Sequence, residues 1–270
     1  MSGTSNIDKF KIKSDLEVNG FSLINDFWDF KKLHRVECQL ESLMKFHLNE
    51  FKLKEIPSDI CAYLAKHKPN SIGEIYDSIS YSDSFLNLIS GDLADLIRIL
   101  LDLPLHNPLY SWQHRVLMQL PQCKKRLSNW HQETFYTIPF SMKYLQCWFP
   151  LFCDSSPENG TIWILPQSHK EGYALSNVKY PEEQIMQITV DPSVIDKYKP
   201  MQISVKRGDI ILFNGATIHK SGQNLSNQTR FSVVGMFHDL LKSQDARVPQ
   251  PTYKYRGISP LEWHKKVFSS

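Results

Sequence analysis

No run of apolar residues in this chain is long enough to cross a bilayer. The start, Met1 to Lys13, is polar and lysine-containing and has no apolar core of the kind a secretory leader needs. Cysteine is scarce, five residues in 270, with no CxxC pair and no dense framework, so a disulfide scaffold is excluded and a reducing, cytoplasmic setting is expected. Charge of one sign is also lacking. Thirty-one basic against 28 acidic residues leave a net +3, and no lysine or arginine cluster is long enough to act as a basic arm, so nucleic acid is not expected as a partner. There is no internal repeat and no low-complexity stretch. A hydrophobic fraction of 41% is enough for a full core. The expectation is a single domain over 1–270 with neither nucleic acid nor membrane as a partner.

Apolar spacing divides the chain. Up to about residue 110 it is mostly helical, with an early strand at Gly20–Ile24. Helical spacing runs through Phe30 to Leu53, Ile60 to His67 and Ser71 to Ile89, and Asp92 is placed to cap a further helix through Leu101. From Arg115 the pattern becomes short strands: Val116–Leu120, Tyr144–Phe152, Thr161–Leu165, Met201–Val205, Asp209–Phe213, Ala216–Ile218 and Arg230–Phe237. Turn pairs Asn159-Gly160 and Arg207-Gly208 separate them, the first read as a hairpin turn. The fold class expected is mainly β with flanking α-helices. Its core, about 111–240, would be a double-stranded β-helix, a cupin-like jelly roll, which disposes of sheet edges by pairing two sheets. About 1–110 would be helical support, and 241–270 a polar tail with one short helix at Leu261 to Val267.

The chemistry is concentrated in Trp130-His131-Gln132-Glu133. On an extended segment His131 and Glu133 project to one face and can reach one ion. A triplet of this kind occurs by chance, and a lone histidine is more often a satisfied core or surface residue. Context matters more. Downstream come Asn159-Gly160-Thr161, Leu165-Pro166-Gln167-Ser168-His169, Arg207-Gly208-Asp209, His219-Lys220-Ser221-Gly222-Gln223-Asn224, and then Arg230 on a following strand. In this order the segments, over about residues 112–238, resemble the phytanoyl-CoA dioxygenase-like family of Fe(II)/2-oxoglutarate oxygenases.

The resemblance implies that His131, Glu133 and His219 hold Fe(II), two imidazoles and a carboxylate that leave open positions on the metal. It implies that Arg230 pairs with the distal carboxylate of 2-oxoglutarate, with Ser221 nearby, and that Gln132, Gln119 and Trp148 are further cosubstrate contacts. Dioxygen would be consumed, with ascorbate as a supporting reductant, and succinate and carbon dioxide released as an aliphatic C–H bond of a small-molecule substrate, a metabolite or biosynthetic intermediate, is hydroxylated. The family's usual carboxylate is aspartate; Glu133 is one methylene longer. Related halogenases carry a small residue there, which Glu133 argues against. Phe135, Tyr136 and Phe140 are expected to wall the substrate pocket or to pack the core. His169 is assigned to structure, Cys147 and Cys153 to a buried strand, His238 and His264 to solvent, and Lys124-Lys125-Arg126 to a solvated loop. Alternatives are a non-catalytic jelly-roll scaffold, a zinc-dependent hydrolase, and a hydroxylase of a CoA- or carrier-linked acyl group.

Overall fold

The computed structural model describes residues 7–124, 127–135, 144–179, 187–239 and 241. The expected helix at Leu261 to Val267, His264, Lys125, Arg126, Tyr136, Phe140 and the side chain of Phe135 lie outside the described residues.

The fold is a jelly-roll core with helices against one face. The larger sheet has five strands, β1 (Phe21–Ile24), β2 (Leu109–Gln119), β3 (Tyr144–Leu151), β8 (Ile210–Asn214) and β10 (Arg230–Asp239). Their order across the sheet is β1-β8-β3-β10-β2, and every pairing is antiparallel. The smaller sheet is β7 (Met201–Gln202), β4 (Ile162–Ile164) and β9 (His219–Ser221), in the order β7-β4-β9. A separate hairpin pairs β5 (Ser176–Lys179) with β6 (Gln187–Val190).

Strand parity explains why β3 and β10 read as unbroken apolar runs: both are buried on two faces. From β3, Leu145, Cys147, Phe149 and Leu151 enter the core shared with the helices, as do Phe231, Val233 and Phe237 from β10. Trp148 and Val234 point the other way and join Ile162, Ile164, Ile211 and Phe213 between the two sheets. Residues two apart therefore serve one face each.

The helical layer is α1 (Lys9–Val18), α2 (Phe30–Leu48), α3 (Ile60–His67), α4 (Pro69–Ser80), α5 (Asp83–Ser90) and α6 (Asp92–Leu100); a short α7 (Pro192–Ile195) lies later. The central α2 buries Leu33, Val36, Leu40 and Met44 at helical spacing. Burying each such side chain contributes about 1.5–3 kcal/mol. The polar α1 gives almost no periodic signal, since Ile12 is its one buried residue among those described; Asp8 starts it by accepting from the Phe10 and Lys11 amides. The apolar run Ser71–Ile89 is two helices, because the chain turns at Tyr81 and Ser82 caps α5. Asp92 is the first residue of α6 and not its cap, which is Gly91; its carboxylate pairs with Lys32.

Four other expectations are corrected. Ala216–Ile218 is a turn, since the Asn214 side chain and carbonyl accept from the amides of Ala216 and Thr217, and the strand begins at His219. Asn159-Gly160 joins strands of different sheets, so it is a crossing between layers and not a hairpin turn. Gly160 takes φ +86°, and a Cβ there would lie 2.7 Å from the Asn224 amide nitrogen. Cys153 is exposed just past the end of β3, while Cys147 is buried. His238 is buried on β10.

One ion pair fastens the helices to the barrel. Glu37 of α2, 5% exposed, accepts two 2.8 Å hydrogen bonds from the Arg207 guanidinium and a third, at 2.7 Å, from the Phe152 amide. Removing one member of such a buried pair strands the others. Glu37→Ala is expected to lower unfolding free energy by roughly 3 kcal/mol in urea titration, and Glu37→Leu combined with Arg207→Met to recover much of it. Equal losses in single and double variants would contradict this.

Candidate metal centre

A pair of backbone hydrogen bonds builds the site. His131 and His219 exchange N–H···O bonds, both 3.0 Å, in an isolated antiparallel bridge. Opposed in this way, the two imidazoles sit side by side with ring centroids 4.2 Å apart. Each ring is then fixed from behind. His131 Nδ1 lies 2.7 Å from the Asn129 carbonyl and His219 Nδ1 lies 2.9 Å from the Thr217 carbonyl. A carbonyl only accepts, so each Nδ1 carries a proton and each Nε2 is the nitrogen turned to the cavity. Phe213 backs His219 edge-on, with centroids 4.8 Å apart.

After Gln132 the chain coils into a 3-10 turn, Glu133–Phe135, which lifts the Glu133 carboxylate toward the imidazoles. Its Oε2 stands 3.6 Å from His131 Nε2 and 4.0 Å from His219 Nε2. The three ligand atoms lie within 4.8 Å of one another, and all three residues are buried. Burial alone would raise the Glu133 carboxyl, but His131, His219 and Arg115 outweigh it and hold it below the usual carboxylate range. Burial, and then the neighbouring His131, pushes His219 down to about 3, so it is neutral at pH 7. Two imidazoles and one carboxylate, converging on one point, form a donor set that fits a divalent iron ion.

Arg230 opens onto the same cavity, whose volume is about 200 Å³. It is 4% exposed. Its Nη2 donates to Gln119 Oε1 in a short contact, while Nε and Nη1 have no hydrogen-bond partner among the described residues. No carboxylate pairs with it among those residues either. Burial lowers the guanidinium to about 10, so it remains a cation at neutral pH. Trp148 lies under it, 5.3 Å from ring centroid to Cζ. A buried guanidinium facing a cavity with unmet donors calls for an anion.

The other candidate residues divide. Ser221 and Trp148 line the cavity. Gln119 does not touch it; it spends its oxygen on Arg230 and its nitrogen on the Gly222 carbonyl, so it braces the guanidinium. Gln132 is corrected outright. It is fully buried on the opposite side of its segment, donates to the carbonyls of Ala216 (2.6 Å) and Gly172 (2.9 Å), and accepts from the Ala174 amide. Its role is to fasten three loops behind the histidines. His169 is structural as expected, its Nε2 bonded to the Glu17 carbonyl at 2.9 Å. Asn224 holds the loop before Arg230 by donating to the carbonyls of Gln119 and Gln228. Reading the sequence missed Gln146, Ser128 and Thr161 as cavity residues; Arg115 also lines the cavity, and its Nη1 donates to the Tyr76 hydroxyl at 2.8 Å. For Gln146 a signal existed, a lone amide two residues before Trp148 in an apolar strand.

Known proteins support the same grouping. The family model for phytanoyl-CoA dioxygenase (PhyH) matches residues 16–232. Phytanoyl-CoA dioxygenase domain-containing protein 1 of Bos taurus is 33% identical over 104 residues, 37% of this chain and 35% of that protein. Phytanoyl-CoA dioxygenase of Arabidopsis thaliana is 28% identical over 213 residues, 75% of this chain and 68% of that protein. The chain thus spans about a third of the bovine relative and two thirds of the plant one. Among solved structures, EctD from S. alaskensis with 2-oxoglutarate and 5-hydroxyectoine superposes with a TM-score of 0.62 at 18% identity, covering 90% of this chain and 79% of that one. The epimerase SnoN in complex with Fe3+, alpha ketoglutarate and nogalamycin RO gives 0.61 at 17% identity, covering 92% and 91%. At such identity these structures speak for the fold, whereas the family match extends across most of the sequence. This chain belongs to the phytanoyl-CoA dioxygenase family.

Proposed function

We propose that the protein is an Fe(II)- and 2-oxoglutarate-dependent oxygenase that hydroxylates an aliphatic C–H bond of a small metabolite or biosynthetic intermediate. The observation that carries this reading is the buried Arg230, with no carboxylate partner among the described residues, facing the same cavity as the His131–Glu133–His219 trio. A metal ion alone does not explain that cation; a metal together with a dicarboxylate does. The relatives named above, and the structures holding a 2-oxo acid, one of them with Fe3+, support it.

His131, Glu133 and His219 would hold the metal, and the bound metal and cosubstrate would supply dioxygen activation coupled to decarboxylation. The chain's own contribution is placement. Asn129 and Thr217 carbonyls keep both imidazoles in the binding tautomer. Arg230, braced by Gln119, orients the cosubstrate through its far carboxylate, with Ser221 and Trp148 beside it. Leu117, Ile162, Phe213 and Val234 keep water from the reacting centre. A cavity of about 200 Å³ supports a small substrate, or the reacting end of a larger one, since drug-sized ligands take roughly 300–1,000 Å³.

Anaerobic addition of Fe(II) and 2-oxoglutarate should produce a visible charge-transfer band in the wild type and none in His219→Ala. A wild type without the band would favour a non-catalytic scaffold. Structural neighbours include an epimerase and a carbocyclase. Product mass separates the outcomes: hydroxylation adds one oxygen atom, and those reactions add none.

A further inference from the structure

We propose that Gln146 selects the molecule that is oxidised: its amide oxygen accepts a hydrogen bond from an O–H or N–H group of a small polar substrate. This rests on the oxygenase reading and names the chemistry of its substrate.

Gln146 stands in β3 between Leu145 and Cys147, whose side chains enter the core beneath the helices. Strand parity therefore turns Gln146, like Trp148, into the cavity, which it lines. The residue is 3% exposed, and its Oε1 has no hydrogen-bond partner among the described residues. A buried amide oxygen left unmet is costly and uncommon, and an apolar side chain of the same size would avoid the cost. An unmet acceptor facing a cavity is what a donor-bearing ligand would satisfy.

Register shows which ligand. The cross-strand neighbours of Gln146 are Met236 and Phe213, and Phe213 is the ring that backs His219. Met236 lies six residues along β10 from Arg230, about 20 Å of strand at 3.3–3.4 Å per residue. Gln146 is thus beside the metal trio, at the end of the cavity away from Arg230. A dicarboxylate gripped by Arg230 occupies the interval between them and leaves Gln146 to the second reactant. Arg115 does not serve Gln146, as its Nη1 is bonded to Tyr76 and its charge acts on Glu133. Among the described residues, Val234 and Met236 add apolar surface to this end. It matches a compact molecule with one polar edge and a C–H flank better than an unadorned acyl chain. Sites built to bond a substrate hydroxyl or amine reject analogues lacking it very strongly.

Two measurements test this. Gln146→Met conserves volume and removes the unmet acceptor, so the Tm of the metal-free protein should hold or rise. A fall of several degrees would make Gln146 a structural residue and overturn the proposal. The holoprotein with Fe(II), 2-oxoglutarate and air is then given hydroxylated and aminated probes (free amino acids, monosaccharides) or donor-free ones (octanoate, palmitoyl-CoA), and succinate release is followed. Stimulation by the first group is expected, with at least a tenfold rise in KM for the active probe in Gln146→Met and less than a twofold change in KM for 2-oxoglutarate. Equal stimulation by octanoate, no stimulation by any donor-bearing probe, or a KM effect on 2-oxoglutarate instead would overturn it. Substrate-independent succinate formation by the wild type reports separately on the oxygenase reading, so the two can fail independently.

Discussion

Arg230→Ala should raise the KM for 2-oxoglutarate by a factor between about thirty and several thousand while Fe(II) affinity changes little. The range follows from the ~2–5 kcal/mol that truncating one member of a desolvated charge pair costs. The high end is favoured here because Arg230 is almost wholly buried and two of its nitrogens, Nε and Nη1, have no partner among the described residues. Its Nη2 is held by Gln119, so the guanidinium is oriented before the cosubstrate arrives. Arg230→Lys should be nearly as poor, since an ammonium is a point charge without the planar pair of donors. Gln119→Leu should fall between, because it frees the guanidinium to rotate without removing it. Kinetics over a wide 2-oxoglutarate range, with Fe(II) titrated separately, measure all three. A KM for 2-oxoglutarate unmoved in Arg230→Ala would remove the main support for the function.

Glu133→Ala should weaken Fe(II) binding by more than a hundredfold and abolish substrate-stimulated turnover. Losing an outer partner of a metal site commonly costs 10–100-fold, and Glu133 is placed as a direct donor. Its loss also leaves the Arg115 guanidinium without the carboxylate charge that acts on it. Glu133→Asp should recover part of the affinity. The shorter side chain must draw the coil at Glu133–Phe135 inward, and the Thr134 amide, bonded to the Gly215 carbonyl at 3.3 Å, resists that shift. Anaerobic calorimetric titration with Fe(II) gives the three affinities. Wild-type affinity in Glu133→Ala would mean that the carboxylate is not a ligand.

Local pattern carried much of the architecture. Helical spacing over Phe30–Leu53 and Ile60–His67 marks elements that form there, since their buried residues recur on one face, although the first ends as an α-helix at Leu48 and passes into a 3-10 turn at Asn49–Phe51. It failed where capping rather than periodicity sets the boundary, as at Ser82, and where a helix buries almost nothing, as in α1. The strands of the larger sheet were legible as apolar runs, but which of their residues face the helices and which face the cavity depends on partners far along the chain. Phe213 and Gln146 become neighbours only when β8 pairs with β3.

The sequence by itself determined which side chains are available for chemistry. Imidazole, carboxylate and guanidinium are properties of residue type, and their order along the chain follows the family pattern. Tertiary structure decided how the amides divide among tasks: Gln132 ties loops together, Gln119 braces Arg230, and Gln146 faces the cavity with an unmet oxygen. These three residues are chemically identical. A one-residue change of parity, or a pairing made across a hundred residues, sends the same side chain into a core, against a guanidinium or toward a ligand.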